Sequence, residues 1–266
     1  MTFIIIIILV FALLVFLTIQ YSIIIPPVKG LPVLMYHKVS EDISNNLTIK
    51  NESLKLQLKY IKEKGYTAIF CSELIDSMKL GKALPKKPII ITFDDGYQNN
   101  YTYLIPILEE LQLKATIFLP VKHIGSVNSW DKGSEPLMNF DTLKSINPEL
   151  VEFGLHSYAH TNLKNMSIQE IDEDIKLCYS ALESQNIKFI KAIAYPFGAY
   201  PREESKKSEF IKTLKNNNIE LGFRIGNKIN KLPVKNPFEL KRIDIKGIDS
   251  FWTFKTKLKK GRVKLF

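Results

Sequence analysis

Two adjacent carboxylates, Asp94 and Asp95, stand where an apolar run ends, in Pro88-Ile-Ile-Ile-Thr-Phe-Asp-Asp-Gly-Tyr97. Neighbouring carboxylates repel unless a cation or a shared proton relieves them, so the pair points to a metal or an acid/base couple. Asp-Gly is also a common turn dipeptide, and the pair alone carries either reading. Farther along, His156-Ser-Tyr-Ala-His160 follows a second apolar run, Val151–Leu155, in which Gly154 allows close backbone approach. An H-x3-H pair places two imidazoles on one metal if the chain turns after the strand. Asp95 then adds an oxygen and leaves a position open for water, the arrangement of catalytic rather than structural zinc sites. Zinc suits these ligands, and cobalt or nickel fits the same set. Any one of these histidines alone reads equally as a hydrogen-bonded core residue. His37 closes Leu34-Met-Tyr-His37 at the end of the first apolar run, where an imidazole can serve as general acid near neutral pH. The remaining histidine, His123, falls in a long loop and reads as a surface residue. Asp94 and Asp95 make a poor glycosidase pair, since adjacent acids do not flank a glycosidic bond at the ~5 to 9 Å required.

The elements that must position these groups alternate. Short apolar strands are expected at Val33–Tyr36, Tyr66–Phe70, Ile89–Phe93, Ala115–Leu119, Val151–Leu155, Phe189–Tyr195, Glu220–Arg224 and Leu240–Ile243. Amphipathic helices are expected at Ser53–Lys64, Ser72–Lys79, Tyr103–Leu111, Ser167–Ser184 and Glu203–Asn217, the fourth opened by the capping signature Ser167/Glu170. Strands ending in acids and imidazoles, spaced by helices, predict an α/β fold: a distorted (β/α) barrel of 7-8 strands with its chemistry at the strand ends. A doubly wound sheet is the alternative, but no glycine-rich phosphate loop follows the first strand. The loop from Val121 to Asn139, which contains Trp130, is long enough to overhang the site.

Phe3 to Ile25 carries no charge and is long enough to cross a bilayer as a helix. It lacks a basic start and a small-x-small cleavage site, so a retained transmembrane anchor is expected over a cleaved leader. The chain then divides into an anchor and linker (1-30), a catalytic domain (31-250) and a basic tail (251-266). The tail carries Lys255, Lys257, Lys259, Lys260, Arg262 and Lys264 among Phe251, Trp252, Phe254 and Leu258. It reads either as a segment lying on an anionic membrane or as a last helix with a few packing residues. A net charge of +10 suits an anionic membrane surface or an acidic glycan, and no nucleic-acid recognition motif is present. Cys71 and Cys178 match no metal spacing and read as buried apolar residues rather than a disulfide.

Thr92-Phe-Asp-Asp-Gly96 and His156-Ser-Tyr-Ala-His160 resemble the first two motifs of the polysaccharide deacetylases of carbohydrate esterase family 4, and Ala194-Tyr-Pro-Phe-Gly198 resembles the third. The resemblance covers Leu31 to about Gly247. In most of that family a Leu-x-x-His motif comes late, whereas here Leu34-Met-Tyr-His37 comes first and no histidine follows His160. That order resembles the circularly permuted branch that includes the biofilm poly-N-acetylglucosamine deacetylases. The resemblance implies Asp94 as general base, His37 as general acid, Asp95, His156 and His160 as metal ligands, and the backbone N–H of Phe197 as an oxyanion donor. It departs at Ala194, where many members carry an arginine that holds the base. Arg242 and Asp244, two apart on one strand, are the expected substitutes: Arg242 to orient Asp94 and Asp244 to fix the His37 tautomer. The alternative is a surface Arg–Asp pair.

The implied function is metal-dependent removal of N-acetyl groups from a cell-envelope polysaccharide or glycolipid. O-acetyl ester hydrolysis at the same site and a membrane-tethered glycan-binding protein with a dead site are the alternatives. Family habit places the catalytic domain outside the cytoplasmic membrane, while Lys29 and Lys38 beyond the apolar run lean the other way.

Overall fold

The computed structural model describes residues 2–20, 26–131 and 133–263, the side chains at 2, 3 and 16–20 excepted. Among the described residues ten strands occur: β1 (Val33–Tyr36), β2 (Lys38–Ser40), β3 (Thr48–Lys50), β4 (Thr67–Ala68), β5 (Pro88–Asp94), β6 (Ala115–Leu119), β7 (Val151–Leu155), β8 (Ala192–Ala194), β9 (Leu221–Ile225) and β10 (Leu240–Asp244). The helices are α1 (Thr2–Gln20), α2 (Asn51–Glu63), α3 (Cys71–Leu80), α4 (Ile105–Leu111), α5 (Phe140–Ser145), α6 (Ile168–Ser184), α7 (Glu204–Asn216) and α8 (Phe251–Lys260).

Seven strands close a parallel barrel, because β1 pairs with β10 on one side and β5 on the other, with β4 flanking β5. The expected barrel is therefore observed, and each expected strand lies at its place, with β4 and β8 shortened at both ends. The short parallel pair β2–β3 and α5 carry no sequence signal strong enough to have been anticipated. Alternation sorts the strand side chains: Ile90, Phe118, Ala192, Ala194, Leu221, Phe223 and Leu240 fill the barrel, and a larger cluster lies between strands and helices. Gly154 is needed where it is, since a Cβ there would sit 2.6 Å from the Phe118 ring. Glu152 closes the lower end by accepting from the Cys71 N–H (2.6 Å) and the Thr116 hydroxyl (2.7 Å), which fixes the start of α3.

The tail packs on the domain. Phe254 and Leu258 of α8 are buried in the main cluster, Phe251 stacks edge-on to Tyr60 at 5.3 Å, and Lys257 bonds Asp249. It is a last helix of the domain, and Lys264 and the two residues after it lie outside the described residues. Cys71 and Cys178 are free and buried.

The apolar N-terminal run forms α1, with Ile4 to Leu14 exposed. Residues 21–25 of the expected span lie outside the described residues, and among those described no helix is long and apolar enough to cross a membrane. The transmembrane expectation is thus unconfirmed.

Candidate metal centre and active site

Parallel strands deliver their C-terminal ends to one face, and the chemistry collects there. His37 follows β1, Asp94 ends β5 and Asp95 follows it, His156 follows β7, Phe197 follows β8, and Arg242 and Asp244 end β10. All of them line one cleft of about 360 Å³, together with Tyr97, Trp130 and Asp131. Every residue expected at the site is therefore brought to it.

Asp95, His156 and His160 are buried, and one ligand atom from each lies within 4.8 Å of the others. Asp95 Oδ1 sits 3.3 Å from His160 Nε2 and 3.6 Å from His156 Nε2. It accepts no well-formed hydrogen bond although it is buried, a cost that a cation would remove. His156 Nδ1 bonds the Ala194 carbonyl at 2.7 Å, which leaves Nε2 turned toward the cluster in the manner of an oriented ligand. Burial lowers the His156 imidazole to about 4, against the pull of Asp94 and Asp95, so it is neutral near pH 7 as a metal ligand must be. The donor set fits a divalent cation, with identity set by supply as much as by the site.

The backbone here is unusual. Asp95 (φ 74°), Ser157 (φ 60°), His160 (φ 55°) and Phe197 (φ 59°) all occupy the left-handed region, which non-glycine residues enter at a cost that surrounding structure must hold. Asp174 of α6 supplies part of that hold, since both of its oxygens lie 2.9 Å from the Tyr158 N–H inside the ligand turn.

Arg242 answers the missing arginine at Ala194. Its guanidinium reaches up the barrel and forks onto Asp94, with Nη1 2.5 Å from Oδ1 and Nη2 2.7 Å from Oδ2. Arg242 is 1% exposed, so the alternative of a surface pair is excluded. Burial alone would raise the Asp94 carboxyl, but Arg242, His156 and His37 outweigh it and hold the group far below the usual carboxylate range. His37 Nε2 stands 3.8 Å from Asp94 Oδ2. Asp244 lines the cleft but forms no ion pair with His37 among the described residues. Its backbone N–H bonds Asn227 (2.9 Å), and its carbonyl accepts from Lys257 (2.8 Å).

Asn100 and Asp131 were not named as participants from sequence, and Trp130 only as part of a loop overhanging the site. Asn100, fully buried, donates to the His37 carbonyl at 2.8 Å and fixes that corner. Trp130 stacks on His160 with centroids 4.4 Å apart, and Phe197 meets the same ring edge-on at 4.8 Å. Asp131 pairs with Lys38 across the cleft at 3.6 Å. His123, read as a surface residue, instead packs against Trp130 at 5.0 Å. Only the long loop carrying a tryptophan hinted at this group.

Comparison with known proteins places this geometry. Residues 81–212 match the polysaccharide deacetylase family profile. The chain is 29% identical over 196 residues to the poly-β-1,6-N-acetyl-D-glucosamine N-deacetylase of Staphylococcus epidermidis, covering 69% of this chain and 63% of that protein. It is 26% identical over 179 residues to Bacillus subtilis YxkH, covering 67% and 61%. The chain thus spans about three fifths of the length of these two relatives. In fold it resembles the Streptococcus pyogenes deacetylase PplD (TM-score 0.71, 24% identity, 89% of this chain and 99% of that one). It likewise resembles IcaB from Ammonifex degensii (TM-score 0.73, 19% identity, 87% and 97%). His37, Arg242 and Asp244 lie outside the matched profile segment, yet barrel closure through β1 and β10 returns them to it. The chain carries a polysaccharide deacetylase domain, homologous to the poly-β-1,6-N-acetyl-D-glucosamine N-deacetylases.

Proposed function

We propose that this chain is a metal-dependent deacetylase that hydrolyses N-acetyl groups of amino sugars in a cell-envelope polysaccharide. The observation that carries the reading is the Arg242–Asp94 fork beside Asp95, His156 and His160 in one cleft. Asp95, His156 and His160 would hold the metal, with zinc first among candidates and cobalt or nickel next. Bound there, a divalent cation supplies Lewis acidity toward an amide carbonyl and toward water. Asp94, kept ionised by Arg242, accepts the proton of the attacking water as its oxygen bonds the carbonyl carbon. The Phe197 N–H serves as donor to the oxygen on which charge develops. His37 gives its proton to the amine nitrogen as the C–N bond breaks, releasing acetate and a free amino sugar. Asp244, on the cleft wall, meets substrate or water.

The apolar N-terminal segment, residues 3-25, tethers the domain to a membrane, with the catalytic part on the outer side, where envelope polymers are found. Support comes from exposed apolar side chains along α1.

The test uses the purified full chain in detergent with zinc and β-1,6-linked N-acetylglucosamine oligomers, following acetate and free amine. Turnover is expected, with loss on chelation and recovery on adding zinc. Asp94→Asn is expected to lower turnover by at least ~10²-fold while metal binding persists. Full turnover in Asp94→Asn would remove the assigned base. Release of acetate from O-acetylated xylan but from no N-acetylated oligomer would transfer the site to ester hydrolysis. Metal-loaded protein inert toward every acetylated glycan would leave a binding protein.

A further inference from the structure

The barrel has a mouth and a floor. β5 runs seven residues from Pro88 at the floor to Asp94 at the mouth, which separates the two ends by roughly 20 Å at ~3.3 Å per residue. The chain enters at the floor: the Leu31 N–H donates to the Asn230 carbonyl (2.8 Å) and the Val28 N–H to the Lys259 carbonyl (2.9 Å). Val28 therefore lies against the end of α8, at the opposite end of the barrel from the catalytic cleft.

Around that entry the surface is basic. Lys29, Lys86, Lys231, Lys235 and Lys259 are exposed and make no ion pair among the described residues. Two carboxylates nearby are paired, Glu220 with Lys79 and Asp76 with Lys82. Between these cations apolar side chains reach solvent: Val28 is 46% exposed, Met78 39%, Leu80 65% and Leu232 37%. Met78 and Leu232 also share a shallow cleft floored by Leu74. The mouth has the other character, lined by Asp94, Asp95, Asp131 and Asp244.

Cations alone would suit any polyanion. Cations interleaved with exposed apolar side chains, on the face where the chain joins the barrel after an uncharged helix, suit an interface that is anionic at its surface and apolar beneath. We infer that the floor of the barrel is a docking face for anionic phospholipid headgroups, so that the catalytic mouth is held facing away from the bilayer. A soluble acidic glycan would satisfy the lysines and leave Val28, Met78, Leu80 and Leu232 without a role. The inference rests on α1 entering the bilayer and is independent of the reaction catalysed.

Because Cys71 and Cys178 are buried, a single introduced surface cysteine can be labelled selectively. The full chain with Leu80→Cys (floor) or Tyr101→Cys (mouth side, next to Asn100) is labelled with a polarity-sensitive fluorophore and reconstituted into vesicles. One set is phosphatidylcholine, the other contains phosphatidylglycerol. Flotation with phosphatidylcholine vesicles establishes insertion through α1 separately. In anionic vesicles the Leu80→Cys label is expected to shift to the blue and to be quenched by lipid-borne quencher, and the Tyr101→Cys label is not. The shift is expected to fall by about half or more in high salt, or when Lys231→Glu and Lys235→Glu are added. A floor label that stays aqueous in anionic vesicles overturns the inference, as does a shift equal in neutral vesicles or one confined to the mouth label. Failure to float overturns the anchoring on which it depends, and none of these outcomes bears on turnover.

Discussion

Arg242 is the residue on which the site turns, because it neutralises Asp94 at the wall of the cleft where both side chains are almost fully buried. Removing one partner of a buried pair leaves the other charge uncompensated, so Arg242→Ala should cost about 3–5 kcal/mol of stability, read from urea unfolding. Turnover should fall as well, and added guanidine should restore part of it. Arg242→Lys keeps the charge but cannot fork onto both oxygens; it should retain metal affinity and lose roughly 10²-fold in turnover through misplacement of Asp94. Native-like turnover in both variants would mean that Asp94 needs no arginine. This residue was legible in sequence because strand parity is a two-residue rule: Arg242 and Asp244 share a face, and closure brings β10 beside β1. The Asp95, His156 and His160 set was legible from spacing and position alone. The expected Asp244–His37 contact is not among the ion pairs of the described residues, although both line the cleft; strand parity sets the face a side chain takes, not its reach to the next strand. Asn100 was illegible for a related reason. It acts on the His37 backbone through the irregular helix Asn100–Leu104, and no sequence rule marks an asparagine as a tether for another segment.

Two elements hold the ligands. The loop from Val121 to Asn139 brings Trp130 onto His160, whose Nδ1 is buried without a hydrogen-bond partner. His156 is oriented by a carbonyl, whereas His160 is oriented by aromatic contact. Trp130→Ala should therefore weaken metal binding by about 10–100-fold, read by competition with a chromophoric chelator, while Trp130→Phe should recover most of it. Equal affinity in all three proteins would show that the ring is not needed for the ligand. On the other side, α6 presents Asp174 to the Tyr158 N–H. Burial raises the Asp174 carboxyl to about 6, against the pull of the Tyr158 and Ala159 N–H groups. A raised folded-state value means that its contribution to stability is complete below the unfolded value near ~4 and is lost as the pH rises through about 6. Asp174→Asn, a neutral stand-in, lacks that loss. Its stability relative to the native chain should improve by up to roughly 3 kcal/mol from about pH 4 to about pH 7; a pH-independent difference would mean the carboxyl titrates normally. At this scale, sequence periodicity located strands and helices well because buried strands are unbroken apolar runs. It missed α5 and β2–β3, which are too short to show a period.

The whole domain is tied together by its first strand. β1 lies between β5 and β10, with Leu34 opposite both Ile91 and Ile243, so neither half of the sheet closes without the other. The last helix is bound into the same unit, since Phe254 and Leu258 are buried and Tyr60 of α2 meets Phe251 and Phe254. A barrel closed by its terminal strands should unfold as one cooperative body. The two tryptophans report on opposite ends of that claim: Trp130 stacks on His160 at the mouth, and Trp252 is half-exposed on the first turn of α8. With Trp252→Phe the remaining emission follows the site, and with Trp130→Phe the anisotropy of Trp252 follows the last helix. Each transition is compared with the far-ultraviolet circular dichroism of the same variant. Within each variant the two midpoints in urea should coincide, because α8 cannot leave without exposing Phe254 and Leu258. An earlier transition for Trp252 than for the circular dichroism would show α8 peeling from a barrel that stays closed. An earlier one for Trp130 would show that the metal-site loop opens before the fold is lost.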